Sequence, residues 1–337
     1  MGGSNPIIVQ GMAKTQTSDV GATLSQIKAM AVAGAELVRL AVPDEEAASK
    51  LADIREGSPL PVVADIHFDY RLALLALEAG FHKLRINPGN IGSRDRVRTI
   101  VREARDRQVP IRVGVNAGSL ERDIEDRWGR TSRALVESAL RSTALLEDLG
   151  LEDIVLSVKA SDVPTTVNAY LELSQRTRHP LHLGITEAGG PRAGTVKSAT
   201  GIGMCLAMGV GDTLRVSLTA DPVQELRVAW DLLAAWGLRR RGVEVVSCPT
   251  CGRCQVDLIT LAQEVEKAVE GLTGDITVAV MGCAVNGPGE ARAADLGVAM
   301  GARGAVLFRQ GQIVRQVAVD DVVGELLEEI KHLQIDP

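Results

Sequence analysis

Short apolar runs alternate with longer amphipathic segments from residue 6 to about residue 237. There are eight such runs, and they often contain β-branched residues, which favour strands. The segments between them have helical periodicity. The runs occupy residues 6–10, 36–42, 61–66, 82–87, 110–116, 153–159, 181–186 and 212–218. Such alternation predicts a parallel sheet covered by helices. Eight strand–helix units in about 235 residues favour a TIM (β/α)8 barrel over an open doubly wound sheet.

The hydrophobic pattern changes after residue 238, where the regular alternation stops. An apolar run at 243–247 precedes a predicted helix with Ile259, Ala262, Val265 and Val269 on one side. The remaining predicted elements are a strand at 276–282, short strands around 296–318 and a closing helix at 320–333.

These patterns divide the chain into two predicted α/β domains, a TIM barrel at 1–238 and a smaller α/β sandwich at 243–337. No GxGxxG motif follows the first strand, which argues against a dinucleotide-binding fold. We expect the barrel to bind the substrate, because active sites of this fold lie where the strands end.

Polar side chains occur at the ends of seven of the eight predicted strands. They are Arg39, Asp65, His67, Arg85, Asn87, Arg112, Asn116, Lys159, Glu187, Arg215 and Ser217. Five of them are cations, which would repel one another and lose solvation unless an anion were bound between them. Arginine offers a bidentate fork to phosphate, and lysine offers a point charge. The pattern therefore predicts a small substrate that carries more than one phosphate.

An alternative interpretation is that these cations point outward or pair with carboxylates on neighbouring helices. The arrival of five cations at the same end of five strands favours a shared ligand instead. His67 lies between Asp65 and Asp69 in the segment ADIHFDY, beside the cations. A single histidine is more often structural, but this setting makes His67 a candidate for substrate contact.

The composition is that of a soluble globular protein, with 45% hydrophobic and 24% charged residues. The net charge of −6 argues against a general nucleic-acid binder. Because no run of 18 apolar residues and no charged-then-apolar leader is visible, we expect a cytoplasmic protein without a membrane span. Five cysteines, an odd number, fit a reducing compartment better than a disulfide framework.

Four of the five cysteines lie in the smaller predicted domain: Cys248, Cys251, Cys254 and Cys283. Their spacing is compatible with zinc or with an iron–sulfur cluster. A zinc ribbon requires a second Cys-x-x-Cys or two histidines, and this domain has only His332. The iron–sulfur interpretation is therefore favoured.

Two ligand sets remain open for such a cluster. One uses all four cysteines and copies the Cys-x-x-Cys-x-x-Cys run of bacterial ferredoxins. The other omits Cys254 and takes a non-cysteine ligand from the glycine-rich segment NGPGE, which ends at Glu290. A carboxylate is a weaker, displaceable ligand, which suits a catalytic cluster. Cys205, in a predicted barrel helix, is expected to be a core residue.

Eight segments together resemble the 4-hydroxy-3-methylbut-2-enyl diphosphate synthase family, the iron–sulfur enzymes of the non-mevalonate isoprenoid pathway. They are PVVADIHFDY, LRINPGNIG, PIRVGVNAGSLE, SVKASDV, LHLGITEAGG, GVGDTLRVSLTADP, SCPTCGR and GCAVNGPGEA. The resemblance covers essentially the whole chain in order and is closest to the short, two-domain bacterial form. It implies a TIM barrel followed by a 4Fe-4S cluster domain of the sulfite and nitrite reductase type.

The resemblance also implies an activity and a set of site residues. The substrate would be 2-C-methyl-D-erythritol 2,4-cyclodiphosphate, opened and dehydrated with two electrons from ferredoxin or flavodoxin. The cluster ligands would be Cys248, Cys251, Cys283 and Glu290. The candidate catalytic residues are Glu187, which resembles the family's proton donor, with Glu290, His67 and Asp65. The predicted substrate-binding residues are Arg39, His67, Arg85, Asn87, Arg112, Asn116, Lys159, Arg215 and Ser217.

The chain departs from the family pattern in places. Cys254 occupies a position where a non-cysteine residue is expected, and VQGMAK (residues 9–14) stands where the family usually has Ser-Met-Thr-Asn. These differences leave the role of Cys254 and the contacts of the first strand open.

Chain reach predicts how the protein assembles. The eighth barrel helix should end at the face opposite the barrel mouth, and the linker after it is shorter than that helix. The cluster domain would then serve the mouth of another subunit, which predicts a head-to-tail homodimer.

Two other classes of function remain as alternatives. A barrel aldolase or epimerase with a structural zinc domain would explain the cations, with Lys159 as the Schiff-base lysine, but not the NGPGE segment. A pure electron-transfer or binding module would leave the barrel mouth unexplained.

Overall fold

The computed structural model describes residues 1–254, 256–272, 274–283, 293–301 and 304–335. The chain forms two compact units, Met1–Arg239 and Arg240–Pro337. None of the helices in the described ranges is long and apolar enough to cross a membrane.

The first unit is built on eight parallel strands. They are β1 Ile8–Met12, β2 Leu37–Val42, β3 Val62–Ile66, β4 Lys83–Ile86, β5 Ile111–Asn116, β6 Ile154–Lys159, β7 His182–Leu183 and β8 Thr213–Leu214. The order is β6-β5-β4-β3-β2-β1-β8-β7, and a parallel bridge between Leu156 and Leu181 links β6 to β7. The sheet is therefore a nearly closed barrel, and the TIM-barrel prediction is confirmed.

Eleven α-helices connect and cover these strands. They are α1 Val20–Val32, α2 Glu45–Ser49, α3 Leu51–Gly57, α4 Tyr70–Glu78, α5 Pro88–Ile91, α6 Arg94–Asp106, α7 Arg122–Trp128, α8 Ser132–Asp148, α9 Val163–Arg176, α10 Pro191–Ala207 and α11 Pro222–Ala235. Aspartates 19, 44, 69, 162 and 221 cap helices by accepting a backbone N–H of the first turn. Each cap turns the chain from the end of a strand into the next helix.

Side chains alternate between the two faces of every barrel strand. On β2, Val38 and Leu40 point outward and belong to the core between sheet and helices. The inward side chains form layers of four from alternate strands, and TIM barrels usually fill these layers with apolar residues. Here the strand register groups Gln10, Val63, Arg112 and His182 in one inner layer.

The floor of the barrel is also polar. The Arg112 Nη1 donates to Gln10 Oε1 at 3.3 Å, and the His182 ring pairs with Thr213 Oγ1 at 2.6 Å. Lys83 is only 3% exposed and contacts the thioether of Met1 at 3.3 Å. Burial, with a contribution from Arg112, lowers the pKa of Lys83 to about 7.

In its described residues, the second unit contains a five-stranded mixed sheet and two α-helices. The strands are β9 Gly242–Ser247, β10 Asp275–Met281, β11 Leu296–Gly301, β12 Gly304–Arg309 and β13 Gln312–Val317, in the order β13-β12-β11-β10-β9. Strands β9, β10 and β11 are parallel to one another. Strand β12 pairs antiparallel with β11, and β13 pairs antiparallel with β12. Helices α12 Leu258–Val269 and α13 Val322–Ile335 share one apolar core with this sheet.

One prediction for this helix pair was wrong. Ile259 was expected on the buried side of α12, but it is 61% exposed. Leu258 and Leu261 take that place, together with Ala262 and Val265. Ala262, Val265 and Val269 do share one buried side, and Leu258 lies on it four residues before Ala262, whereas Ile259 projects about 100° away from Leu258 around the helix.

Replacement of Lys83 by methionine should stabilise the barrel by about 1–4 kcal/mol at pH 7, because it removes a buried amine that has no carboxylate partner among the described residues. The pKa of Lys83 is lower in the folded state than in the unfolded state, so the unfolded state binds more protons between about pH 7 and 10. Wild-type stability should therefore rise with pH in this range, and less steeply in Lys83→Met. Urea unfolding at pH 7, 8 and 9 measures both effects.

The exposed lysine Lys197 provides the control, because Lys197→Met should change neither the stability nor its pH dependence. An unchanged stability of Lys83→Met at pH 7 would contradict this interpretation of the barrel floor.

Candidate functional site at the barrel mouth

A polar pocket of about 170 Å³ opens at the carboxyl ends of the barrel strands. It is lined by Arg39, Asp65, His67, Arg85, Asn116, Ser157, Lys159, Thr186, Arg215 and Ser217. Eight of these ten residues are among those selected from the sequence. Ser157 and Thr186 were missed, although Ser157 lies two positions before Lys159 and so faces the same side of β6.

Three selected residues do not line this pocket. Arg112 is 1% exposed and lies in the layer beneath it, while Glu187 is exposed just beyond β7. Asn87 is 2% exposed and caps α5, with its Oδ1 accepting the Gly89 N–H at 3.2 Å. Their predicted roles in substrate binding and proton transfer stay predictions.

Asp65 holds one side of the pocket together. Its carboxylate accepts Arg85 Nη1 at 3.0 Å, and the Arg39 Nε lies 3.6 Å away. Burial alone would raise the pKa of Asp65, but the charges of Arg39 and Arg85 and the contact with His67 keep it far below the usual range. Asp65 is therefore an anion at every physiological pH.

The His67 ring completes this side of the pocket. Arg85 Nη1 lies 2.7 Å from His67 Nε2, and the same arginine donates to the Gly114 carbonyl at 3.1 Å. The same His67 Nε2 lies 3.5 Å from Asp65 Oδ1, so this ring nitrogen is positioned between the Arg85 guanidinium and the Asp65 carboxylate. His67 and Asp65 thus orient Arg85 towards the pocket.

Glu225 holds the opposite side and was not selected from the sequence. This residue of α11 is 2% exposed and accepts Arg215 Nη2 at 3.1 and 3.2 Å. It also accepts the Leu218 N–H at 2.7 Å and pairs with Lys14 Nζ at 3.0 Å. The sequence does contain a signal, because Glu225 lies on the apolar stripe that Leu226 and Ala229 continue.

Lys159 differs from the other pocket cations. It is 7% exposed, and in the part of the chain that the structure describes its Nζ has no hydrogen-bond or carboxylate partner. Burial lowers the pKa of Lys159 well below its ordinary value, and the charge of Arg112 adds to the effect. Burial likewise lowers the pKa of Arg112, whose Nε and Nη2 are buried without a partner.

Two glycines make room for these long side chains. A Cβ on Gly114 would lie 2.4 Å from the Arg85 Nε, and a Cβ on Gly184 would lie 2.7 Å from the Lys159 Nζ. Both glycines face inward and lie in the same layer. This layer is directly above that of Arg85 and directly below that of Lys159. Any larger residue at either position would displace a pocket cation.

The cysteines of the second unit lie at one edge of its sheet. Cys248 follows β9 directly and Cys283 follows β10 by two residues, and these strands are parallel neighbours. The Gly282 N–H donates to Cys248 Sγ at 3.4 Å. A Cβ on Gly282 would lie 2.5 Å from Cys254 Sγ and 3.6 Å from Cys248 Sγ, so these two sulfurs are close neighbours.

Thiolates are soft ligands, so these cysteines fit an iron–sulfur cluster as well as zinc, and the backbone N–H bonded to Cys248 Sγ is a contact that iron–sulfur sites commonly have. Cys251 is exposed between Cys248 and Cys254. Among the described residues, no three His, Cys, Asp or Glu side chains are close enough together to hold a metal. Glu290, the predicted fourth ligand, and the rest of NGPGE lie outside the described residues.

The buried cations at its mouth place this chain among the α/β-barrel proteins with a candidate site for a small polyanion. The family model described as the GcpE TIM-barrel domain matches residues 1–230, and the model described as the GcpE protein C-terminal domain matches residues 244–332. The chain belongs to the GcpE family, which confirms the resemblance found in its sequence.

Relatives with high identity carry one name, 4-hydroxy-3-methylbut-2-en-1-yl diphosphate synthase (flavodoxin). The relative from Geobacter sulfurreducens is 56% identical over 99% of this chain and 95% of its own length. Those from Caldanaerobacter subterraneus and Bacillus pumilus are each 53% identical, over 99% and 98% of this chain and 94% and 90% of their own lengths. Among solved structures, dihydropteroate synthase from Xanthomonas albilineans matches 69% of this chain and 92% of its own, with 17% identity and a TM-score of 0.49.

Replacement of Gly114 by alanine should move the Arg85 guanidinium out of its bonds with Asp65 and His67. We expect the affinity for inorganic pyrophosphate to fall by about tenfold or more, since one bidentate cation is lost from the pocket. Isothermal titration calorimetry measures this change.

Gly118→Ala is the matched control, because nothing lies within 4 Å of a Cβ at Gly118. Its affinity should equal that of the wild type. Wild-type affinity in Gly114→Ala would show that the position of Arg85 does not determine anion binding.

Proposed function

We propose that this chain converts 2-C-methyl-D-erythritol 2,4-cyclodiphosphate to 4-hydroxy-3-methylbut-2-enyl diphosphate in isoprenoid precursor biosynthesis. The observation that carries the proposal is the excess of buried cations over carboxylates at the barrel mouth. Four cations, Arg39, Arg85, Lys159 and Arg215, line a pocket in which Asp65 is the acidic lining residue. A ligand with two phosphates balances this charge, and the names of the relatives point to the same substrate class.

The overall reaction defines what the protein must supply. The cyclic diphosphate is a dianion, and it takes up two electrons and one proton to give a trianionic linear diphosphate and water. The bond from carbon to the bridging phosphate oxygen breaks, and the departing hydroxyl leaves as water with the added proton. A 4Fe-4S cluster, when bound, would pass the two electrons one at a time from the reduced electron donor to the substrate, a task for which side chains have no suitable redox chemistry.

The residues of the barrel bind and orient the substrate. Arg39, Arg85 and Arg215 are held in place by Asp65 and Glu225, so they offer fixed donors to the phosphate oxygens without reorganisation. Asn116, Ser157, Thr186 and Ser217 add neutral donors around the same cavity. Glu187, exposed at the rim after β7, is the proposed source of the proton for the departing hydroxyl.

Cys248, Cys251, Cys283 and Glu290 would hold the cluster, in a domain of the sulfite and nitrite reductase type. Glu290 is the ligand that we propose to be exchangeable, since a carboxylate binds iron less tightly than a thiolate. Flavodoxin is the proposed electron donor, in agreement with the name that the relatives carry. We further propose that the protein is cytoplasmic and forms a head-to-tail homodimer. Analytical ultracentrifugation would detect the dimer.

Anaerobically purified protein should be brown, absorb broadly near 400 nm and bleach with dithionite. With reduced flavodoxin it should convert the cyclodiphosphate to the linear diphosphate, followed by phosphorus NMR. Colourless protein with stoichiometric zinc, and no product, would instead favour the aldolase or epimerase alternative with Lys159 as Schiff-base lysine.

The two cysteines beside each other at Gly282 should respond differently to substitution. Cys248→Ser should lose most of the bound iron and sulfide, because a cluster ligand is removed. Cys254→Ser should keep both, because its thiol donates to the Val256 carbonyl at 3.2 Å and acts as a bystander. Iron and sulfide analysis with electron paramagnetic resonance separates the cases. Loss of the cluster in Cys254→Ser would assign it as a ligand.

A further inference from the structure

The barrel interior holds more positive charge than its own carboxylates can neutralise. Five cations face the pocket or the layer beneath it: Arg39, Arg85, Arg112, Lys159 and Arg215. Their acidic partners are Asp65, which contacts Arg39 and Arg85, and Glu225, which contacts Arg215. Arg112 and Lys159 have no carboxylate partner in the barrel unit, all of which is described.

The repulsion among these five cations is relieved most readily when one of them loses its proton. Guanidinium groups keep their proton at any physiological pH, whereas a buried lysine becomes neutral readily. Lys159 is the lysine of this pocket. Its side chain lies among the four arginines, and the residue is 7% exposed. A neutral amine at Lys159 therefore costs the substrate-free protein less free energy than a fifth buried charge.

The groups that face Lys159 favour this state. They are Arg39, Arg85, Arg112 and Arg215, whose charges act on Lys159, together with Asp65 and His67, which line the same pocket, and Glu225, which contacts Arg215. The two buried carboxylates among them are already shared with arginines or with Lys14. Neither of these two buried carboxylates is left to stabilise a charged Lys159 until an anion enters the pocket.

We propose that Lys159 is a neutral amine in the substrate-free enzyme and takes up one proton from solution when the cyclodiphosphate binds. This inference rests on the proposed function, because the dianionic substrate supplies the charge that the lysine needs. Lys159 then acts as a positioning residue that becomes a phosphate-binding cation only in the complex. The trianionic product keeps the amine charged, so this proton returns to solution with product release and is separate from the proton that forms water.

The test is calorimetric titration of the oxidised, cluster-loaded enzyme with the cyclodiphosphate, without reductant so that no turnover occurs. At pH 8, titrations in buffers with different heats of ionisation give the number of protons taken up. We expect about one proton per site in the wild type. The dissociation constant should rise with pH, because deprotonated Lys159 must be charged again for tight binding.

Variants assign the proton to a residue. Lys159→Arg, which keeps a permanent charge, and Lys159→Met, which removes it, should both reduce the uptake to near zero. The matched control is Lys83→Met, a second buried lysine on the barrel floor, which should keep the uptake. His67→Gln removes the other base of the pocket and should also keep it. Uptake that survives in both Lys159 variants, or that disappears in Lys83→Met or His67→Gln, would overturn the proposal.

A measurement without ligand covers the case in which the Lys159 variants bind too weakly. Acetic anhydride reacts only with neutral amines, so the pH profile of acetylation reports the protonation state independently of access. By mass spectrometry, Lys159 in the free enzyme should reach half-maximal reactivity at a lower pH than exposed Lys197. Identical profiles would overturn the proposal. Binding of the cyclodiphosphate without proton uptake would overturn only the proposal for Lys159. Absence of binding by the wild type would overturn the proposed function as well.

Discussion

Uncompensated positive charge inside the barrel is the constraint on which the rest of the structure depends. Most TIM barrels fill their interior with branched apolar side chains, but here arginines and lysines occupy the inner layers. Arg112 crosses the barrel to Gln10, directly beneath the pocket. Buried charges without partners cost folding free energy, so the arrangement is stable only because helices and strands around it form an extensive apolar core.

The other features of the barrel mouth neutralise this positive charge or make room for the side chains that carry it. Asp65 and Glu225 neutralise the arginines that need fixed positions, and Gly114 and Gly184 give the long side chains space to lie across the cavity. Lys159 has no hydrogen-bond or carboxylate partner among the residues that the structure describes. The pocket is thus organised before its ligand arrives, which reduces the reorganisation that binding and reaction require. Stability and function oppose each other at these positions, as expected for a preorganised anion site.

Much of this organisation follows from local sequence patterns. Strand–helix alternation predicts the barrel, and the cations at strand ends predict an anion site, because parallel strands deliver their carboxyl ends to one face. Glu225 could not be paired with Arg215 in the same way, since their contact depends on how α11 packs against β8. The depth of Arg112 within the barrel was also not predicted from the sequence. It lies four residues before the end of β5, so the rise of about 3.3 Å per residue places it below the pocket.

The most direct measurement of the central claim is a crystal structure of the oxidised, cluster-loaded enzyme with the cyclodiphosphate and no reductant. Both phosphates should lie in the barrel mouth, within hydrogen-bond distance of Arg39, Arg85, Lys159 and Arg215. A substrate bound elsewhere, or phosphates that leave these four cations without contact, would contradict the assignment of the buried charge to substrate binding.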